Sequence, residues 1–280
     1  MTNVEANVRG GLRSTTPSAK PSSAKARQLY ELCGTDPARV LSPHCWRVRM
    51  ALAHKGLEFE SIPLRLTEPE RLAFTDHTRA PVLVDGERVV AGSWDIALYL
   101  DEAYPQTPLL FQNAPEAYRA VVSWNDSILQ AGLERLIVSD IPHLLDGADR
   151  IYFIERHEEK FGQPLHEVTA AREERLPKFR ISLEPLRIAL ESSPFLGGAN
   201  PDYADYIVFG SFMWARSVSL LRILEAEDRI FAWREEMLNL HGSMARNAPC
   251  FSMCRNQSLA GGDNKDGGRR TRSFFQFFRR

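Results

Sequence analysis

Val40-Leu41-Ser42-Pro43-His44-Cys45-Trp46-Arg47, continuing to Lys55-Gly56, is the stretch on which the reading of this chain turns. Ser42 is suited to cap a helix, because its hydroxyl accepts one of the free N–H groups of the first turn. Pro43 fits the first helical position, where no N–H is needed and φ is already set. Trp46, Met50, Ala53 and Leu57 recur at spacings of four, three and four, which marks one apolar helical face. Lys55 and Gly56 close the helix with a cation near its negative end and a residue that tolerates positive φ. A helix opening with Ser-Pro straight after a strand aims N–H groups and a positive dipole at whatever lies before Ser42. That suits an anion, and a thiolate is an anion. An ordinary capped helix explains the same residues, so the flanking segments decide.

Upstream, Gln28 to Cys33 carries Leu29, Tyr30 and Leu32 and is bounded by Gly34, Asp36 and Pro37, which predicts a strand followed by a loop. Downstream, Glu58 to Leu66 predicts a second strand, joined to the first through the Ser42 helix as a right-handed βαβ unit with parallel strands. Thr67 to Arg79 is polar, with one helical turn expected around Pro69 to Phe74. Ala80-Pro81-Val82-Leu83-Val84 and Glu87-Arg88-Val89-Val90 flank Asp85-Gly86, a strong hairpin signal. Pro81, at the first residue of its strand, is a candidate for a cis bond. Ser93 is expected to cap a further helix with Ile96, Tyr99, Leu100 and Ala103 on its apolar face, ended by Pro105. The order β-α-β-(α)-β-β-α over residues 27–105 predicts an α/β thioredoxin-like domain.

After Gln106-Thr107-Pro108 the strand signals stop. Helical patterns are expected through Tyr118–Val138, Ile151–Phe161, Ala170–Glu191, Asp205–Leu220 and Arg229–Leu240, separated by Pro142, Gly147, Pro164, Gly197 and Gly198. Residues 113–255 therefore read as an all-α bundle joined through a linker near 105–113. Asp202-Tyr203-Ala204-Asp205 reads as a variant capping box that nucleates a helix. Residues 1–26 are rich in Ser, Thr, Pro, Ala and Lys without apolar periodicity. They are expected to be a disordered arm, with a mitochondrial transit peptide as the alternative. Residues 256–280 hold four glycines, then arginines and two Phe-Phe pairs. That is a disordered basic and aromatic tail, or one that touches an anionic membrane or a nucleic acid.

Composition excludes whole classes. Of 280 residues 44% are hydrophobic and 25% charged, values of a globular protein, and a net charge of −1 argues against a nucleic-acid surface spread over the chain. No apolar run approaches the roughly 20 residues that span a bilayer. Four cysteines, Cys33, Cys45, Cys250 and Cys254, are too few and scattered for a disulfide framework, and the chain is expected to be intracellular and cytoplasmic. The seven histidines lie far apart, no Cys-His cluster has ligand spacing, and no metal site is expected.

A thioredoxin-like half followed by a helical half resembles the cytosolic glutathione S-transferases, and within them the serine-type, β-etherase-like branch of bacteria and fungi. The resemblance rests on Ser42-Pro43, Trp46-Arg47, Ala51-Leu52, His54-Lys55-Gly56, Pro81-Val82 and Ser93-Trp94 in the first half. It continues with Arg172-Glu173, Arg175-Leu176-Pro177, Leu183-Glu184-Pro185, Leu196-Gly197-Gly198 and Ala204-Asp205-Tyr206 in the second. It implies glutathione as co-substrate, with Ser42 as the catalytic residue that hydrogen-bonds the thiol and holds it as thiolate. It also implies that Val82, after a cis Pro81, pairs its backbone with the cysteinyl residue, and that Ser93 binds the γ-glutamyl carboxylate. A two-fold homodimer and a small hydrophobic electrophile, an aryl ether among the options, are further implications. The electrophile pocket is expected between the halves, walled by the Tyr118–Leu136 helix and the region of Trp214.

Two departures from the family pattern stand out. Gly92 precedes Ser93 where the family usually places an acid, which removes a polar contact worth on the order of 1–3 kcal/mol unless Asp95 replaces it. The position of the leading cysteine of related redox folds is held by Ser42, and Cys45 is read as a small buried apolar residue. Three functions stay open: transfer of glutathione to an electrophile, a non-catalytic glutathione-binding or protein-interaction module, and thiol–disulfide exchange through Cys45.

Overall fold

The computed structural model describes residues 26–112 and 114–251. The arm up to residue 25 and the tail 256–280, with the targeting and surface-binding readings attached to them, lie outside the described residues. Four strands, β1 (Gln28–Leu32), β2 (Glu60–Leu64), β3 (Val82–Asp85) and β4 (Arg88–Ala91), form one sheet in the order β2-β1-β3-β4. β1 and β2 are parallel, and the other two pairings are antiparallel. Two helices, α1 (Pro43–His54) and α2 (Ser93–Ala103), complete this half. The second strand is shorter than the predicted 58–66 span, while a 3-10 turn at Pro69–Leu72 matches the expected helical turn. Gly86, at φ 62°, makes the hairpin turn that Asp85-Gly86 announced.

The helical half holds α3 (Arg119–Trp124), α4 (Ala131–Ile137), α5 (Gly147–Phe161), α6 (Leu165–Thr169), α7 (Arg172–Ser182), α8 (Glu184–Ala189), α9 (Tyr203–Val218) and α10 (Arg229–Asn247). The single helix expected over 118–138 is compound. A π-helical stretch, Asn125–Gln130, separates α3 from α4, and 3-10 turns flank both ends. The helix expected over 170–191 also divides, with Pro185 in the first turn of α8. The Asp202 capping box forms as read: Asp202 Oδ1 accepts from the Ala204 N–H at 2.8 Å, and Asp205 Oδ2 from the Asp202 N–H at 3.1 Å.

What positions the site is the sandwiching of α1. On one side Arg49 forks onto the buried Glu31 of β1 at 2.6–2.9 Å, and Ser61 of β2 donates to the same carboxylate. On the other side lies α9, in which every residue except Arg216 is buried. α1 is therefore buried well beyond the one apolar face that its periodicity marked, since Cys45, Arg47, Val48, Ala51 and Leu52 are covered too. Gly210 of α9 permits the contact: a Cβ there would come within 2.5 Å of the Pro43 carbonyl oxygen. A second tie crosses between the halves at the end of β2. The Thr67 N–H and hydroxyl both donate to Asp149 of α5 at 2.9 and 2.7 Å, and Arg65 pairs with Asp149 and Asp146. No described helix is long and apolar enough to cross a membrane.

Candidate functional site

Ser42 caps α1 as its sequence requires, with extended φ and ψ of −110° and 128°. Its Oγ accepts the Cys45 N–H at 3.3 Å, and its carbonyl accepts the Trp46 N–H. Pro43 has no N–H, so one free amide, that of His44, remains in the first turn. An oxygen that accepts from Cys45 still carries its own proton. Ser42 therefore keeps a rotatable donor at the front of α1, and accepting a hydrogen bond strengthens that donor. The space exists. A cavity of about 690 Å³ opens between the two halves with Ser42 and Pro43 in its lining. Leu41, Ile141, Phe153 and Trp214 supply apolar walls, and Gln130 and Glu134 line it from the helical half. The expected wall of 118–136 contributes through Gln130 and Glu134. Tyr118 instead donates to the capping-box residue Asp202 at 2.7 Å, away from the cleft.

The Ala80–Pro81 bond is cis, as anticipated. Val82 does not fit the role expected of it. It lies opposite Tyr30 of β1 on one side and Ala91 of β4 on the other, is fully buried, and has no free edge to which a strand could add. The Pro81 carbonyl is also taken, by the Gly92 N–H at 2.9 Å. Ala80 lines the cavity, and its backbone groups enter no hydrogen bond with the described residues. The sheet closes over Val82 and leaves the edge two residues earlier.

Ser93 is not the cap of α2 but its first residue. The cap is Gly92, whose φ of 86° is a conformation that L side chains rarely adopt. An acid at this position would be strained, which gives the departure at Gly92 a backbone reason. Asp95, in the first turn of α2, reaches back so that its Oδ2 lies 3.7 Å from where a Gly92 Cβ would stand. Ser93 is buried and is not part of the cavity lining. Its Oγ meets His44 Nδ1 at 3.4 Å, and its carbonyl accepts from the Tyr203 hydroxyl at 2.6 Å. Burial, reinforced by the Arg47 charge, lowers the His44 pKa from 6.5 to about 4, so the ring that links the α1 and α2 termini is neutral near pH 7.

Sequence reasoning missed three residues here. His44 was weighed only as a metal ligand. Ala80 lay outside the Pro-Val motif. Gln130 was hidden inside an apparently regular helix, whereas the π-helical stretch ends on it and leaves its Oε1 buried without a partner. Cys45 is as expected: fully buried, its thiol pushed up to about 12 by desolvation. Among the described residues no group of three His, Cys, Asp or Glu is placed to hold a metal ion.

Comparison with known proteins bears on both halves. Residues 38–108 match the family model described as glutathione S-transferase, N-terminal domain, and residues 118–238 the model described as glutathione S-transferase, C-terminal domain. A zeta-class glutathione S-transferase of Euphorbia esula is 43% identical over 70 residues, 23% of this chain and 31% of that protein. A longer match joins the chain to the glutathione S-transferase-like protein ustS of Aspergillus flavus, 26% identical over 222 residues, 67% of this chain and 79% of that protein. Among solved structures, a glutathione S-transferase of Ceriporiopsis subvermispora in complex with glutathione superposes with a TM-score of 0.68 at 20% identity, covering 79% of this chain and 100% of that one. The chain spans about a third to two fifths of the length of the first curated relatives that it matches. With both domain models matched in order over one continuous fold, the chain belongs to the glutathione S-transferase family.

Proposed function

We propose that this protein binds glutathione along the strip Ser42–Ala80–Ser93 and joins glutathione, through its thiol sulfur, to an electrophile held in the cleft. What carries the reading is the Ser42 hydroxyl, which accepts in the helix cap, keeps its own proton to donate, and lines a cavity of about 690 Å³. Glutathione, when bound, supplies the nucleophilic thiolate. A free thiol of pKa about 8.5 is only a few per cent ionised at neutral pH. The Ser42 hydroxyl, the His44 amide and the α1 dipole all favour the anion, and together lower that pKa by about 1–2 units. Ala80 offers a backbone N–H and C=O to the peptide as a short added strand would, in place of the role first given to Val82. Ser93, steadied by neutral His44, accepts or donates at the γ-glutamyl end, and Asp95 supplies the carboxylate that Gly92 lacks. Pro81 holds the Ala80 backbone at the cleft edge.

The serine-type, β-etherase-like assignment belongs to the same proposal. In an aryl-ether substrate the thiolate attacks the carbon bearing the ether oxygen, and a phenolate leaves with the electron pair. Self-association into a two-fold dimer is part of the proposal too. Retention on immobilised glutathione, followed by turnover on a panel of aryl halides, enones and aryl ethers, tests the reading. Retention without turnover on any of them would favour a glutathione-binding module.

A further inference from the structure

The charges in the cleft wall do not balance, and the imbalance says what the second substrate looks like. Arg65, Arg79, Arg156 and Lys160 line the cavity, against one carboxylate, Glu134. Two of these cations are neutralised where they stand. Arg65 pairs with Asp146 and Asp149, and Lys160 donates to both Glu134 oxygens at 2.7 Å. Arg79 adjoins Ala80, where the peptide of glutathione is proposed to dock, so its charge is assigned to that ligand. Arg156 remains. It projects from α5, in the helical half, across the same cavity from Ser42. One of its Nη atoms donates to the Tyr152 hydroxyl at 3.0 Å, and no described carboxylate pairs with it.

We propose that the electrophile taken by this cleft carries a carboxylate or similar anionic group on an apolar body, and that Arg156 binds that group. The inference rests on the transferase reading and adds the substrate class. Phe153, three residues before Arg156 on α5 and also in the cavity lining, is stacked on His157 and offers an aromatic wall to the body of the substrate. Tyr152 braces the guanidinium, which leaves it less freedom to lose on binding. Arg156 is exposed at the cleft wall, and a charge-assisted pair is roughly twice as strong as a neutral hydrogen bond. A neutral electrophile gains only a weaker hydrogen bond from Arg156, and a cationic one is repelled.

The test pairs 4-chloro-3-nitrobenzoate with 4-chloro-3-nitrobenzamide. In both, the glutathione thiolate forms a C–S bond at the chlorinated carbon, the C–Cl bond breaks, and chloride leaves with the electron pair. Each kcat/KM is divided by the uncatalysed rate with glutathione alone at the same pH, which removes the difference in ring activation. The expected result is a normalised preference for the benzoate of roughly 10-fold or more. Arg156→Ala should abolish that preference by lowering the benzoate rate far more than the benzamide rate, and Arg156→Glu should reverse it. Equal normalised rates for the two compounds in the intact protein, or a preference that survives Arg156→Ala, would overturn the inference. A parallel arm follows quenching of tryptophan fluorescence by unreactive 4-phenylbutanoate and 4-phenylbutanamide, which needs no turnover. If neither electrophile reacts, the transferase reading is decided by the wider panel of aryl halides, enones and aryl ethers. Tighter, Arg156-dependent binding of the acid would then still support an anion-selective cleft, and equal binding would reject it.

Discussion

At Ser42 one oxygen is both acceptor and donor, and that separates it from Cys45 a turn later, where burial holds the thiol protonated up to about pH 12. Ser42→Ala removes one charge-directed hydrogen bond and one helix cap. Turnover should fall roughly 10- to 100-fold with glutathione affinity little changed, because Ala80 and Ser93 hold the peptide elsewhere. The lost cap should also destabilise the fold by about 1 kcal/mol, read as a lower urea midpoint. Cys45→Ala should keep nearly full transferase activity in the same assay. Gln130 makes a different prediction. Its buried, unpartnered Oε1 costs stability in the free protein, so Gln130→Leu should leave stability unchanged or raise it by about 1 kcal/mol. If the carboxamide is kept for a ligand, the same variant raises KM for the electrophile. Thermal melting and steady-state kinetics on one preparation read both effects.

On the scale of elements, the site depends on how closely α9 approaches α1. Gly210 has the Pro43 carbonyl oxygen 2.5 Å, and Arg47 Cγ 3.0 Å, from where its Cβ would stand. Backbone on one side and a fully packed helix on the other leave little room to yield. Gly210→Ala should therefore cost about 1–3 kcal/mol by overpacking, and should also displace the first turn of α1. The expected signature is a drop in kcat beyond what the loss of folded protein explains, seen by assaying at a temperature where circular dichroism reports a folded chain. Gly132→Ala is the comparison: its Cβ would meet the Phe179 ring at 2.6 Å, outside the α1–α9 contact, and should cost stability without displacing the first turn of α1.

For the whole molecule, acid is the informative perturbation. A chain of neutral groups ties the two halves together: His54 Nε2–H donates to the Leu109 carbonyl, so its Nδ1 accepts from the Tyr206 hydroxyl at 2.7 Å, and Tyr206 in turn accepts from His241 Nε2 at 3.2 Å. Burial lowers the His241 pKa from 6.5 to about 4, as it does for His44. Above about pH 6.5 both rings are neutral in the folded and unfolded chain, and their contribution to stability is complete. As pH falls from 6.5 toward 4 the unfolded chain takes up protons that the native rings refuse. Stability therefore declines through that window and levels off below it. Asp202 and Asp205, raised by burial, work in the opposite sense in acid, so the histidines are best isolated by mutation. His241→Asn suits the left-handed φ of 50° at that position and should flatten the decline in a urea-midpoint profile. Sedimentation of the intact chain checks the proposed assembly, and a dimer is the expected species.

Local chemistry was legible in the chain itself. Ser42-Pro43 at a helix start, Asp85-Gly86 in a hairpin, Asp202 with Asp205 as a capping box, and a cis candidate at Pro81 depend on neighbours within a few residues, and all four stand in the structure as read. Element order followed from the change of period, since alternation of two and recurrence near 3.6 cannot be confused over long runs. Tertiary placement decided the rest. Val82 lost its role because whether a strand edge is free depends on β1 and β4 closing over it, which no local pattern encodes. Gly92 replaced Ser93 as cap because the chain leaves β4 at a positive φ, a matter of the angle between sheet and helix. The π-helical stretch that delivers Gln130 is invisible to periodicity. Arg156 became a binding candidate only when folding paired its neighbours and left it without a carboxylate: sequence spells out which charges exist, and packing decides which of them are spent.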